Sequence, residues 1–225
     1  MATVARDLLD AAERLRITEV FHSFQGEARD SGIPTVFVRL TGCPLRCTYC
    51  DSEYAFHGGE WFDFDTLLAR VAGHGASHVC VTGGEPLAQP NCRAFLARLC
   101  DAGYSVSLET SGAIDIADID PRVSRVVDIK TPASGECHRN RWDNLDALTP
   151  HDQHKFVICD RGDFDWAIDC VRARGLTDRC TVWFSPSWEQ VDPAALAAWI
   201  LEAGVPVRLH LQLHKLLWPG VERGV

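Results

Sequence analysis

Apolar runs of strand length alternate along the chain with segments whose apolar residues recur at helical spacing. The strand-like runs are PTVFVRLTG (34 to 42), HVCVTG (78 to 83), SVSLET (105 to 110), RVVDIKT (125 to 131), HKFVICD (154 to 160), TVWFSP (181 to 186) and VRLHLQLHK (207 to 215). Between them lie DFDTLLARVAGHG, NCRAFLARLCDAG, DFDWAIDCVRARG and DPAALAAWILEAG. Each opens on an Asp or Asn suited to a helix N-cap and closes on a Gly suited to a C-cap. Strand then helix, repeated, predicts an α/β fold with a parallel sheet. Residues 1 to 16 read as a tail with one or two helical turns, and 132 to 153 as a long polar loop or lid with a short helix. No repeat or linker divides the chain, so one domain over 1 to 225 is expected.

The unusual polar residues all fall just after strand-like runs. A cysteine loop follows the first run, GGEP the second, ETSG the third, DIKTP the fourth and SPSW the sixth, while LHK closes the last. In a parallel barrel or open sheet these positions share one rim, the carboxyl ends of the strands, where such folds build their active sites. Composition narrows the chemistry. The net charge of -9 disfavours a protein that neutralises a long phosphate backbone, so nucleic acid is not the expected partner. No run of about 18 apolar residues and no apolar leader core is seen, which predicts a cytoplasmic protein with no membrane partner. Its ten cysteines then read as free thiols, and all but three are scattered through strand- and helix-like segments as small buried hydrophobes.

The remaining three form GCPLRCTYCDS, with Cys43, Cys47 and Cys50 at C-x3-C-x2-C spacing. Structural zinc calls for four closing ligands, and the only further candidates are Cys137 and His138, far along the chain. An iron-sulfur cluster suits the triple better, since three thiolates can hold three irons of a four-iron cube and leave the fourth for a small molecule. A zinc-binding interaction module nevertheless stays open at this point.

The cysteine spacing with Tyr49 before the last cysteine, together with TGGEP at 82 to 86, resembles the signature of radical S-adenosylmethionine (SAM) enzymes. FHSFQGE (21 to 27), CDS (50 to 52), DIKTPASGE (128 to 136) and the closing QLHK (212 to 215) narrow the resemblance to the 7-carboxy-7-deazaguanine synthases, from Ile17 onward. That resemblance implies a partial (β/α)6-type radical SAM barrel in which 17 to 33 and 207 to 225 are substrate-capping extensions. It implies one [4Fe-4S] cluster on Cys43, Cys47 and Cys50, with SAM as the missing fourth ligand. SAM would be surrounded by Tyr49, Cys50, Asp51, Gly83, Gly84, Glu85, Glu109, Asp128, Ile129, Lys130, Ser185, Pro186, Ser187 and Trp188, with the Glu85 carboxylate taking the methionine ammonium. Ser52 would bind Mg2+. Phe24, Gln25, Gly26, Glu27, Arg39, Thr82, His214 and Val225, the last through a terminal carboxylate, would bind the substrate. The implied activity is a lyase reaction of the queuosine pathway for tRNA modification: a 5'-deoxyadenosyl radical takes a hydrogen atom from 6-carboxy-5,6,7,8-tetrahydropterin, the ring contracts and ammonia leaves. A flavodoxin- or ferredoxin-type reductant and a homodimer are implied as partners. A glycyl-radical-enzyme activating enzyme would share the cluster and the GGE segment, but has no need of FQGE or QLHK.

Overall fold

The computed structural model describes residues 13–225. Among the described residues nine strands form one sheet: β1 (Arg14–Phe24), β2 (Pro34–Leu40), β3 (Glu60–Asp63), β4 (His78–Gly83), β5 (Ser105–Thr110), β6 (Ser124–Asp128), β7 (Gln153–Ile158), β8 (Thr181–Pro186) and β9 (Arg208–Leu209). Their order is β3-β1-β2-β4-β5-β6-β7-β8-β9, parallel from β2 to β9 and antiparallel at β1. The helices are α1 (Phe64–Gly73), α2 (Cys92–Asp101), α3 (Arg161–Arg174), α4 (Leu176–Arg179), α5 (Pro193–Ala203) and α6 (Leu213–Leu217).

Alternation along the parallel strands separates two faces. Val36, Val38, Leu40, Val81 and Leu108 face outward into a core with Phe64 and Leu67 of α1 and Phe95 and Leu99 of α2. Further along, Phe156, Ile158, Val182 and Phe184 meet Phe164 and Ile168 of α3 and Leu196 of α5. The other face carries Phe37, Arg39, Thr82, Glu109, Asp128 and Lys155, which line a single cavity. Charge on one face and aliphatic side chains on the other is the pattern of a partial (β/α)6-type barrel, whose lumen holds the site.

The caps locate the helices. Asp63 accepts from the Thr66 amide at 2.7 Å and Asp192 from the Ala194 amide at 3.2 Å. Asp160, rather than Asp163, caps α3, accepting from the Asp163 amide at 2.8 Å. Asp163 is buried instead, where it takes the Thr131 hydroxyl (2.8 Å) and the Ala133 amide (2.9 Å). The polar stretch from 132 to 147 forms three short 3-10 turns.

Two expectations are corrected. The predicted strand from 207 to 215 is only the two-residue β9 followed by α6. The ladder bond from the His210 amide to the Phe184 carbonyl forms (2.9 Å), but Pro186 has no N–H for the next rung, and the chain turns away. The tail boundary at 16 is also displaced: Arg14 to Arg16 already pair with β3. The helical turn expected near the amino terminus lies outside the described residues.

Candidate active site

The cavity occupies about 430 Å³ at the carboxyl ends of the strands. The loop after β2 brings Cys43, Cys47 and Cys50 to its wall. That loop is held by its backbone: the Gly42 amide donates to Ala55 O (2.8 Å), the Glu85 amide to Gly42 O (2.8 Å), the Thr48 amide to Ser134 O (3.1 Å) and the Arg46 amide to Glu136 Oε1 (2.7 Å). The turn carrying Gly84 packs directly on it. A Cβ at Gly84 would stand 2.4 Å from Gly42 O and 2.7 Å from the Cys43 Cβ, so only glycine lets the two loops touch.

Burial pushes the Cys43 thiol up, and pushes Cys47 up to about 11 despite the nearby Lys130 ammonium. Metal binding here must therefore displace protons. Among the described residues no three His, Cys, Asp or Glu side chains converge closely enough for a single ion. Three separate thiols on one cavity wall, with Cys137 outside that cavity, fit a cluster in which each thiolate takes its own iron.

Next to the cysteines, Tyr49, Asp128 and Lys130 also line the cavity. Lys130 Nζ lies 2.8 Å from Asp128 Oδ2 and 5.5 Å from the centre of the Tyr49 ring. Tyr49 Oη and Asp128 Oδ1 are buried without a hydrogen-bond partner. Buried polar atoms left open in this way await a ligand, which suits a polar cofactor between the cluster loop and β6. Gly83, Gly84, Asp51, Ser187 and Trp188 share the lining, while Ser185 and Pro186 do not reach it.

Two expected contacts are corrected. The Glu85 carboxylate does not face the cavity; it is fully buried and accepts from the Leu87 amide (2.9 Å), the Thr110 hydroxyl (3.0 Å), and the Ser111 amide (2.7 Å) and hydroxyl. Satisfied by these donors, it fastens the GGEP turn to the end of β5, which leaves the backbone of Gly83 and Gly84 to meet a ligand. Ile129 is likewise turned outward, into the core against α3 and α5, so its side chain is structural.

The far end of the cavity is charged and comes from both ends of the chain. Glu27 pairs with Lys155 of β7 and accepts from the Gln212 side-chain Nε2 at 2.8 Å. Burial alone raises the Glu27 carboxyl, but the Lys155 ammonium, with His210 and Gln212, outweighs it and holds the group well below the usual carboxylate range. Glu109 accepts from the Thr82 hydroxyl (2.9 Å) and from Gln25 Nε2 (3.4 Å). Burial, with the charge on Glu27, pushes its carboxyl up. Glu109 thus stands with the residues expected at the substrate. Arg39 bonds Glu19 through Nε (2.8 Å), and the Tyr54 hydroxyl donates to the same oxygen (2.8 Å). Lys215 Nζ reaches Asp51 Oδ2 at 3.1 Å.

His214 packs against Gly26, where a Cβ would stand 2.8 Å from its Nδ1. The Leu213 amide donates to Gly26 O (3.1 Å), so the two loops are clasped through backbone and ring. Phe24 and Val225 complete the rim. Ser52 lines the cavity with its hydroxyl 3.9 Å from Cys50 Sγ and makes no capping bond to the turn it precedes.

Lys155, Glu19, Tyr54 and Gln212 were not anticipated. For Lys155 the signal existed: a lysine inside HKFVICD occupies an inward position, as Arg39 does inside VFVRL. Glu19 and Tyr54 carry no motif and become visible only once β1 is paired with β2.

A family model described as the Radical SAM superfamily matches residues 37–182. The solved structure of QueE from Escherichia coli superposes with a TM-score of 0.74 at 23% identity, covering 91% of this chain and 96% of that one, a likeness that bears on the fold alone. Open parallel barrel, three-thiol loop and glycine turn accordingly belong to a member of the radical SAM superfamily. The 7-carboxy-7-deazaguanine synthase of Koribacter versatilis is 44% identical over 226 residues, 94% of this chain and 100% of its own length. That of Chlorobaculum tepidum is 40% identical over 214 residues, 94% of this chain and 97% of its own. Within the superfamily, the chain belongs to the 7-carboxy-7-deazaguanine synthase family.

Proposed function

We propose that this chain is a radical SAM lyase that converts 6-carboxy-5,6,7,8-tetrahydropterin to 7-carboxy-7-deazaguanine with loss of ammonia, in queuosine biosynthesis. The observation that carries this is one cavity with three thiols at one end and a partly buried Glu27–Lys155–Glu109 array at the other. The activating-enzyme alternative is not favoured, since full-length relatives at 44% and 40% identity carry the synthase name.

When bound through Cys43, Cys47 and Cys50, a [4Fe-4S] cluster with SAM supplies one-electron cleavage of a carbon–sulfur bond and a hydrogen-abstracting radical. The protein holds and encloses. The backbone of Gly83 and Gly84, with Tyr49, Asp128 and Lys130, would seat SAM. Glu27 and Glu109 offer acceptors to the amino and ring N–H groups of a pterin, and Lys155 and Gln25 offer donors to its oxo edge. Arg39 and His214 would meet the substrate carboxylate, as charge-assisted donors do. Ser52 would give one hard oxygen ligand to Mg2+. We also place a homodimer, a flavodoxin- or ferredoxin-type reductant and a cytoplasmic location in this proposal. No helix among the described residues is long and apolar enough to cross a membrane.

Anaerobic incubation of reconstituted protein with SAM, dithionite, Mg2+ and the carboxytetrahydropterin should yield the deazaguanine acid and ammonia by mass spectrometry. Absence of the ring-contracted product, with SAM consumed, would refute the assignment. Ser52→Ala should flatten the magnesium titration and leave SAM binding unchanged.

A further inference from the structure

Three consecutive amides at the turn of the amino-terminal loop are each taken by a side chain. The Glu27 amide donates to Gln25 Oε1 (3.1 Å), the Ala28 amide to His210 Nε2 (3.1 Å) and the Arg29 amide to Gln153 Oε1 (2.8 Å). Ala28 is buried and has a φ of 62°, the left-handed region that a residue with a Cβ occupies only when its surroundings hold it there. The acceptors that hold it come from elsewhere in the fold. Gln153 opens β7, and its Oε1 also accepts from the Trp183 indole N–H at 2.9 Å. The Trp183 ring in turn meets the His210 ring edge-on, with centroids 5.8 Å apart. His210 itself follows β9 and is anchored by its own amide on Phe184 O at 2.9 Å.

An amide can only donate, so His210 Nε2 must be its unprotonated nitrogen. The other ring nitrogen, Nδ1, is also buried. Burying an imidazole costs its hydration, which a leucine in the same place would avoid, so packing alone does not account for the ring. His210 does not line the cavity, yet Gln25, Gly26 and Glu27, immediately before the residue it holds, all do.

We infer that His210 is a positioning residue for substrate: its imidazole pins the Ala28 amide, fixes the left-handed turn, and so directs Gln25 and Glu27 into the cavity. This rests on the proposal that residues 25 to 27 bind the pterin. His210→Gln and His210→Leu form the test pair, because both fill the space and only Gln retains an acceptor near the position of Nε2. In His210→Leu the KM for the carboxytetrahydropterin should rise about tenfold, the effect of one unsatisfied buried amide, with kcat, iron content and SAM affinity near wild type. His210→Gln should bring KM back to within about twofold of wild type, since the acceptor is restored.

Hydrogen–deuterium exchange across residues 25 to 33, measured without substrate, should accelerate in His210→Leu and stay at the wild-type rate in His210→Gln. Wild-type KM and exchange in His210→Leu would overturn the inference, as would a Gln variant as impaired as Leu, or a loss of kcat with KM unchanged. If His210→Leu does not fold, His210→Asn, whose shorter amide stops short of Ala28, takes its place. If the wild-type protein turns over no pterin, the proposed activity fails, while the exchange comparison still decides whether His210 holds the loop.

Discussion

The thiol end of the cavity draws its chemistry from one short loop, Gly42 to Cys50, fastened by backbone hydrogen bonds and by the close approach of Gly84. The opposite end is assembled from residues far apart in sequence: Glu27 with Lys155 and Gln212, Arg39 with Glu19 and Tyr54, and Gly26 with His214. A site set by local backbone needs only its own few residues to be right. A site set by side chains from distant strands depends on every partner, and Glu27 left without Lys155 is a buried charge. Substitutions should therefore separate the two ends cleanly.

The largest effect is expected at the cysteines. Replacing Cys43, Cys47 or Cys50 by Ala should abolish SAM cleavage and sharply reduce bound iron, read by visible absorbance and iron analysis, while Cys137→Ala leaves both intact. Second is Lys155→Met. It strands Glu27 in a buried position, and breaking such a pair costs about 3–5 kcal/mol. Substrate affinity should fall by about two orders of magnitude or more, with iron content unchanged, and adding Glu27→Gln should recover thermal stability because the orphaned charge is removed.

Arg39→Ala should be milder, because Glu19 keeps the Tyr54 hydroxyl. A weakening of substrate binding by about one to two orders of magnitude is expected by calorimetry, with SAM binding retained. The remaining comparison is by pH. The Cys43 and Cys47 thiols are raised, so each must lose a proton to bind iron, and loading of apoprotein should improve as pH rises through the neutral range, by at most about tenfold per unit per proton. At the other end burial lowers the pKa of His210 and of His214 below 6.5. A lowered histidine is neutral in the fold, so the stability it contributes is complete above 6.5 and is lost as pH falls through its depressed value. Protonating His210 removes the acceptor of the Ala28 amide, so acid should loosen the loop at 25 to 27 before it releases a loaded cluster, which parallel titrations at pH 5 to 8 would show.

The same contrast governs what could be read from sequence. The cysteine loop and the glycine turn were legible because their chemistry lies in consecutive residues. The parallel strands were legible as apolar runs, and the helices between them from caps such as Asp63 and Asp192. β1 was not, since it pairs antiparallel and is followed by no helix, although Leu15 and Ile17 alternate with exposed or half-buried neighbours as a strand requires. Glu85 was given to a ligand because its partners, Thr110 and Ser111, lie on another strand. The run VRLHLQLHK alternates like a strand, and only the missing N–H of Pro186 on the neighbouring strand shows why it stops at Leu209.

The contact between Gly26 and His214 also sets an order in time. When Cys50 joins the growing chain, about three quarters of the sequence is still to be made. His210, Gln212 and His214 emerge after every strand of the sheet. A nascent chain thus offers its thiols to iron before the carboxyl-terminal half of the clasp exists, and the substrate end of the cavity is closed last.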